Sequence, residues 1–146
     1  MKNSAQYIIH PELKVMVEYF SGLVDLNIMI EHRKALIKEN LYDPSFNSIT
    51  DFRDANFNAK RDDVINYAKF TKATPGMIGK RKAAILANTP QQNVITKLYT
   101  LNTQELPFII EIFYTMEAAL NWIDLKSKDM DVIENTLLQM KNSAII

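Results

Sequence analysis

Apolar residues along this chain alternate between a spacing of two, which suits strands, and a spacing of three or four, which suits helices. Gln6 to Ile9 is a short apolar run, and His10-Pro11-Glu12-Leu13 is a turn, since proline stops a strand. From Lys14 to Phe20 the pattern alternates. Val15, Val17 and Tyr19 share one side, and Met16, Glu18 and Phe20 share the other. Ser21-Gly22 closes this second strand, so the first two strands form a hairpin. Asp25 then caps a helix whose stripe is Leu26, Met29, Ile30, Arg33, Leu36 and Ile37, ending near Asn40 before the turn Asp43-Pro44-Ser45. A third strand is expected over Asn47–Asp54, with Ile49 and Phe52 as its main apolar residues. A polar loop is expected over Ala55–Lys60. Asp62 or Asp63 caps a second helix that buries Val64, Ile65, Tyr67, Ala68 and Thr71.

Pro75-Gly76 and Gly79 break the chain before Ala83-Ala84-Ile85-Leu86-Ala87. A continuous apolar run of this length suits a strand covered on both faces. Asn88-Thr89-Pro90 opens a third helix with the stripe Val94, Ile95, Leu98 and Leu101, and Pro107 ends that segment. Phe108–Tyr114 reads as the fifth strand. Thr115 caps a helix with Met116, Ala119, Leu120 and Ile123 inside. Met130, Ile133, Leu137 and Met140 mark a last amphipathic helix.

The order is β-β-α-β-α-β-α-β-α plus a C-terminal helix. It predicts an α/β protein with a mixed, mostly parallel five-stranded sheet flanked by helices. Residues 1–125 are expected to form the α/β domain. Residues 126–146 form a helix and tail packed on that domain, on a second copy in a homodimer, or on a partner.

Composition narrows the function classes. Seventeen basic and seventeen acidic residues cancel, so the chain has no basic excess for nucleic acid. There is no cysteine, which removes disulfides, thiolate nucleophiles and cysteine zinc sites. No stretch approaches the roughly 18–20 apolar residues of a membrane span. The apolar run at the start is too short for a signal peptide, so a cytoplasmic protein is expected. Three glycines, at 22, 76 and 79, cannot build a glycine-rich phosphate loop.

Several stretches carry a family likeness in their order and spacing. They are Tyr19-Phe20-Ser21-Gly22, Asp43-Pro44-Ser45-Phe46, Asp51-Phe52-Arg53-Asp54-Ala55, Lys80-Arg81-Lys82-Ala83-Ala84 and Phe113–Trp122. Over residues 6 to 123 the chain resembles the STAS-like fold of anti-sigma-factor antagonists, and more narrowly the bacterial SpoIIAA-like group. The resemblance implies a non-catalytic regulatory or protein-interaction module of bacterial cytoplasmic signalling. Antagonists of that family carry a phosphorylatable serine after an aspartate beyond the third strand. Asp54-Ala55-Asn56-Phe57-Asn58-Ala59-Lys60-Arg61 holds no serine or threonine, so that switch is not carried over. Related lipid-binding folds imply, as the alternative, a small apolar ligand or lipid held between sheet and helix.

The densest polar cluster on a core element is Asp51, Arg53 and Asp54, at the carboxyl end of the third strand, where open α/β sheets bind ligands or partners. With Asn56 it forms one half of a candidate partner- or ligand-binding set. An ion-pair network with no binding role is the favoured account of it. Asn88 and Thr89 form the other half, since backbone N–H groups at a helix start can hold an anion, and simple capping accounts for them too. His10 and His32 lack metal-ligand spacing and are expected in solvent, so no metal and no cofactor is expected. No Gly-x-Ser-x-Gly elbow positions a serine, and no enzymatic activity is expected. The seven methionines, seven phenylalanines and six tyrosines fall mostly on inner faces, and Met16, Met29 and Met116 suit an adaptable apolar cavity. A ligand pocket of the usual kind would measure roughly 300–1,000 Å³.

Overall fold

The computed structural model of the chain describes residues 4–144. β1 (Ser4–His10) and β2 (Val15–Val24) form the expected antiparallel hairpin, with Ile8 opposite Val17. α1 (Leu26–Ile37) follows, capped by the Asp25 carboxylate, which accepts from the Ile28 N–H. β3 (Asn47–Phe57), β4 (Lys82–Leu86) and β5 (Ile109–Phe113) run parallel to β2, so the sheet order is β1-β2-β3-β4-β5. α2 (Arg61–Lys72), α3 (Pro90–Leu101) and α4 (Met116–Trp122) make the crossovers and the final return, and α5 (Ser127–Ala144) ends the chain. The mixed five-stranded α/β architecture is the expected one.

β2 and β3 are longer than the sequence pattern predicts. β2 runs past Ser21-Gly22 to Val24, with Gly22 at φ 72, a left-handed value that suits glycine. β3 runs past Asp54 to Phe57, so Ala55–Phe57 is strand and not loop. A bulge makes this extension work. Tyr19 pairs with Asp51 and Ser21 with Asp54, so Phe52 and Arg53 together face Phe20. The extra residue turns Phe52, Ala55 and Phe57 onto one face and Asp51 and Asp54 onto the other. Gly79 is needed for a different reason, because a Cβ there would collide with the Pro44 carbonyl.

Each face of the sheet carries its own core. On one, Val15, Val17, Tyr19, Ile49, Ala84 and Leu86 pack against Ala119, Leu120 and Ile123 of α4 and Ile133, Leu137, Met140 and Ala144 of α5. The C-terminal helix thus covers its own domain, and its stripe is the predicted one. On the other face, Phe20, Val24, Phe52, Ala55, Phe57 and Ile85 pack under α1 and α3, with Ile28, Met29 and Ile95. No helix among the described residues is long and apolar enough to cross a membrane.

Candidate functional site

The predicted cluster on β3 lies under the end of α5. Asp51 is fully buried, and both of its oxygens are taken by Arg53. Oδ1 accepts from the Arg53 backbone N–H and Nε, and Oδ2 from Nη2, each at 3.0 Å. Lys141 on α5 sits 3.7 Å from Asp51 Oδ2 and 4.0 Å from Asp54 Oδ2. The Tyr19 hydroxyl donates to Asp54 at 2.6 Å, and burial together with that bond raises the tyrosine pKa. These contacts knit the bulge to the C-terminal helix. They leave Asp54 and Asn56 exposed and Arg53 half-buried, while Asp51 has no surface to offer.

Asn88 and Thr89 lie beside this strand end. Thr89 caps α3 by accepting from the Gln92 N–H, and Gln92 answers by accepting from the backbone N–H of Asn88 and Thr89. The buried Gln92 amide also donates to the carbonyls of Arg53 and Ala55. The structure therefore brings the two halves of the candidate set together through Gln92, a residue the apolar pattern did not single out. The N–H groups of Asn88, Thr89 and Gln92 at this helix start are thereby already satisfied.

A different site emerges on the opposite face. Glu18, at an inward position of β2, is wholly buried. Its Oε1 accepts from His32 Nε2 at 2.9 Å and lies 3.2 Å from Arg33 Nη2, and its Oε2 accepts from the Thr50 hydroxyl at 3.1 Å. Burial alone would raise the Glu18 pKa. The Arg33 charge and the His32 hydrogen bond outweigh it and bring the group to about 2. Burial likewise opposes the Arg33 charge, and Glu18 reverses that effect, so its pKa rises. His32 is thus a core histidine, wedged edge-on against Phe20 and Tyr7, not the solvated one expected. His10 ends β1, with Nε2 2.9 Å from the Thr136 hydroxyl of α5.

Beside this network lies a cavity of about 100 Å³ between the sheet and α1, α2 and α3. Phe20, Met29, Phe52, Ile85, Ile95 and Ile110 give it apolar walls. Ser48, Arg81, Ala83 and Phe108 line it near the strand starts, and Asp25, Phe57 and Ala59 line it near the strand ends, so it extends along the strands. It is smaller than the pocket expected from the chain. Of the three methionines proposed for such a space, Met29 alone lines it; Met16 is core, and Met116 packs on the α4–α5 face.

Arg33, Tyr67, Arg81 and Tyr99 also line the cavity. Arg81 Nη1 donates to the carbonyls of Pro44 and Met77, and its guanidinium lies 5.0 Å from the centre of the Phe108 ring. Burial and the nearby Arg33 charge lower the Arg81 pKa. The Tyr99 hydroxyl is 2.9 Å from that of Thr71, and burial raises its pKa. The Tyr67 hydroxyl faces Arg33 closely enough for a weak, poorly aligned interaction that helps to raise the arginine's pKa, yet among the described residues neither it nor Arg33 Nε has a partner at hydrogen-bond geometry. The sequence did carry a signal for this site. Glu18 falls on a strand's inward side and Arg33 within a helix's apolar stripe, and a charge at a core position needs a reason.

No group of three or more histidine, aspartate or glutamate side chains among the described residues is placed to hold a metal. The chain matches no family model and no curated protein. Among solved structures it is similar to the crystal structure of an uncharacterised DUF3478-family protein from Shewanella loihica PV-4. The TM-score is 0.56 at 12% identity, over 82% of this chain and 92% of that one. That protein is described as having a SpoIIAA-like fold. The strand order, the helices on both faces and this likeness agree: the chain has a SpoIIAA-like fold.

Proposed function

We propose that the protein is a non-catalytic binding module that holds a small, largely apolar molecule between its sheet and α1–α3. The observation that carries this reading is the apolar cavity of about 100 Å³ beneath the three helices. Interiors are normally packed without such space, and an apolar cavity of roughly 150 Å³ is enough to take up benzene. The occupant is therefore of the size of a single ring or a short alkyl chain. Ligand-observed NMR and thermal shift with toluene, benzyl alcohol, hexanol and benzoate test it. Saturable binding of at least one, weakened when Ile95→Trp fills the cavity, supports the reading. No binding of any at millimolar concentration sinks it.

A regulatory protein-docking role, the one the resemblance implies, is favoured by a separate observation. β5 is the edge of the described sheet; Ile109 on it is exposed, Tyr114 just past it is exposed near Leu101 of α3, and Val94 of α3 is exposed as well. An uncovered apolar edge strand is a template for adding another strand. A second copy pairing β5 to β5 would extend the sheet across a homodimer. Sedimentation equilibrium of the wild type against Ile109→Lys with Tyr114→Glu decides it. A monomer in both cases removes this dimer.

A further inference from the structure

We infer that the molecule held in the cavity is an anion, a compact apolar carboxylate whose charged end is received by Arg81, Arg33 and the Tyr67 hydroxyl. The inference rests on the cavity's being a binding site, and adds the chemistry of what it binds.

Three buried side-chain atoms are without a hydrogen-bond partner among the described residues: Arg33 Nε, Tyr67 Oη and Arg81 Nε. All three belong to residues lining this one cavity. Native proteins leave few such groups, because each costs its full desolvation. Three together, beside empty space, define a missing acceptor. Two of the three are N–H donors on cations, and the hydroxyl can donate as well. An acceptor-only group suits all three, and a carboxylate offers two oxygens with several lone pairs.

Charge points the same way. Two guanidiniums line this end of the cavity, and the carboxylate next to them, Glu18, stands behind the lining and is already engaged by His32, Arg33 and Thr50. Arg81 has backbone carbonyls and the Phe108 ring for company but no ion pair among the described residues. The two carboxylates in the lining are occupied at helix starts, Asp25 by the Ile28 N–H and Asp63 by the Lys60 N–H. They sit toward the strand ends, away from Arg81. The cavity thus has a cationic end, an apolar middle and an end that repels anions. A buried cation left without a counter-charge is costly, and an anion entering beside Arg81 relieves it.

Benzoate and hexanoate are the probes, with benzyl alcohol, benzylamine and hexanol as partners of matched shape. Affinities are measured at pH 7 by calorimetry on the full chain, wild type and Tyr67→Phe. This variant removes one unpartnered hydroxyl and keeps the ring. The expected result is benzoate or hexanoate binding at least about tenfold more tightly than the matched alcohol, with the amine excluded. Tyr67→Phe should cost the carboxylate about tenfold and leave the alcohol unchanged, as expected for one hydrogen bond to a charged group. Arg81→Gln should abolish the preference for the acid; should that variant fail to fold, Tyr67→Phe carries the test. Equal binding of acid and alcohol, insensitive to Tyr67→Phe, overturns the inference and leaves the cavity reading standing. Binding of none of the five overturns both.

Discussion

Removing the Glu18 carboxylate tests the electrostatic account of this face most directly. In Glu18→Leu three buried partners lose their acceptor: the His32 ring, the Thr50 hydroxyl and the Arg33 guanidinium. Breaking a buried ion pair from one side costs about 3–5 kcal/mol, because the other charge stays behind unpaired. The added leucine packing does not offset that, so a loss of about 4 kcal/mol is expected. In a chain of this length it lowers the melting temperature by roughly 8–16 °C. Replacing both partners, Glu18→Leu with Arg33→Met, should recover most of the loss, since an apolar pair of similar volume is often neutral or stabilising. Urea unfolding followed by circular dichroism measures all three proteins.

The pH dependence gives an independent reading. The Glu18 pKa is lowered in the folded chain to about 2, below its ordinary 4.5. The unfolded chain therefore binds its proton first as pH falls. Stability from this group is fully present above pH 4.5, declines below it, and is gone once pH passes about 2. The shift corresponds to about 3 kcal/mol. Glu18→Gln should flatten that part of the acid limb while the rest of the profile keeps its shape. A single-variant loss below about 1 kcal/mol, or an unchanged acid limb in Glu18→Gln, would refute the reasoning.

Three further outcomes follow from the other contacts. Asp51→Ala strands the Arg53 guanidinium and frees the bulge, and should cost about 3 kcal/mol, whereas Lys141→Ala, half in solvent, should cost under about 1; equal losses in urea unfolding would contradict this. Ile133→Ala should destabilise by about 2–5 kcal/mol, because Ile133 is wholly buried between α5 and the sheet; a loss under 1 would mean that α5 is not core. Gln92→Ala should cost about 2 kcal/mol and raise amide exchange at the end of β3, since it leaves the Arg53 and Ala55 carbonyls without the side-chain donor; hydrogen exchange read residue by residue checks it.

Most of the architecture was legible because strand and helix periods are local. The run Ala83–Ala87 supplies β4 (Lys82–Leu86), paired on both sides, and the tail stripe at Met130, Ile133, Leu137 and Met140 is the buried side of α5. The departures have tertiary causes. β3 outruns its apolar pattern because a bulge re-phases it and Gln92 holds its far end. The α3 stripe was drawn through Val94 and Leu101, which are exposed, while Gln92 and Thr96 face inward. That helix covers the open side of the sheet, so its buried strip is narrow and its inward polar groups bond backbone. α2 starts two or three residues early, with Lys60 at the cap in place of Asp62 or Asp63, and Asp63 reaching back to the Lys60 N–H. The candidate site was half legible. Charge density drew attention to Asp51, Arg53 and Asp54, which the fold spends largely on itself. Glu18, Arg33, Tyr67 and Arg81 are far apart in the chain, and only the sheet and its crossovers bring them together.

The two faces of the sheet handle buried polarity in opposite ways. Under α5, Asp51 has each oxygen engaged and Asp54 has both Tyr19 and Lys141. Under α1–α3, the three buried atoms lacking partners gather around one cavity. Folding alone does not favour the second arrangement, since apolar residues of similar volume would fill the space and remove the desolvation cost. Places where a chain keeps such a cost are commonly places of function. The idea has a measurable sign. Tyr67→Phe deletes a buried hydroxyl that, among the described residues, has only the poorly aligned Arg33 guanidinium beside it, so the ligand-free protein should be unchanged or gain about 1 kcal/mol in urea unfolding. The same change should weaken benzoate. Stability and affinity moving in opposite directions would mark the hydroxyl as kept for binding, and a clear loss of stability would mean that it serves the fold instead.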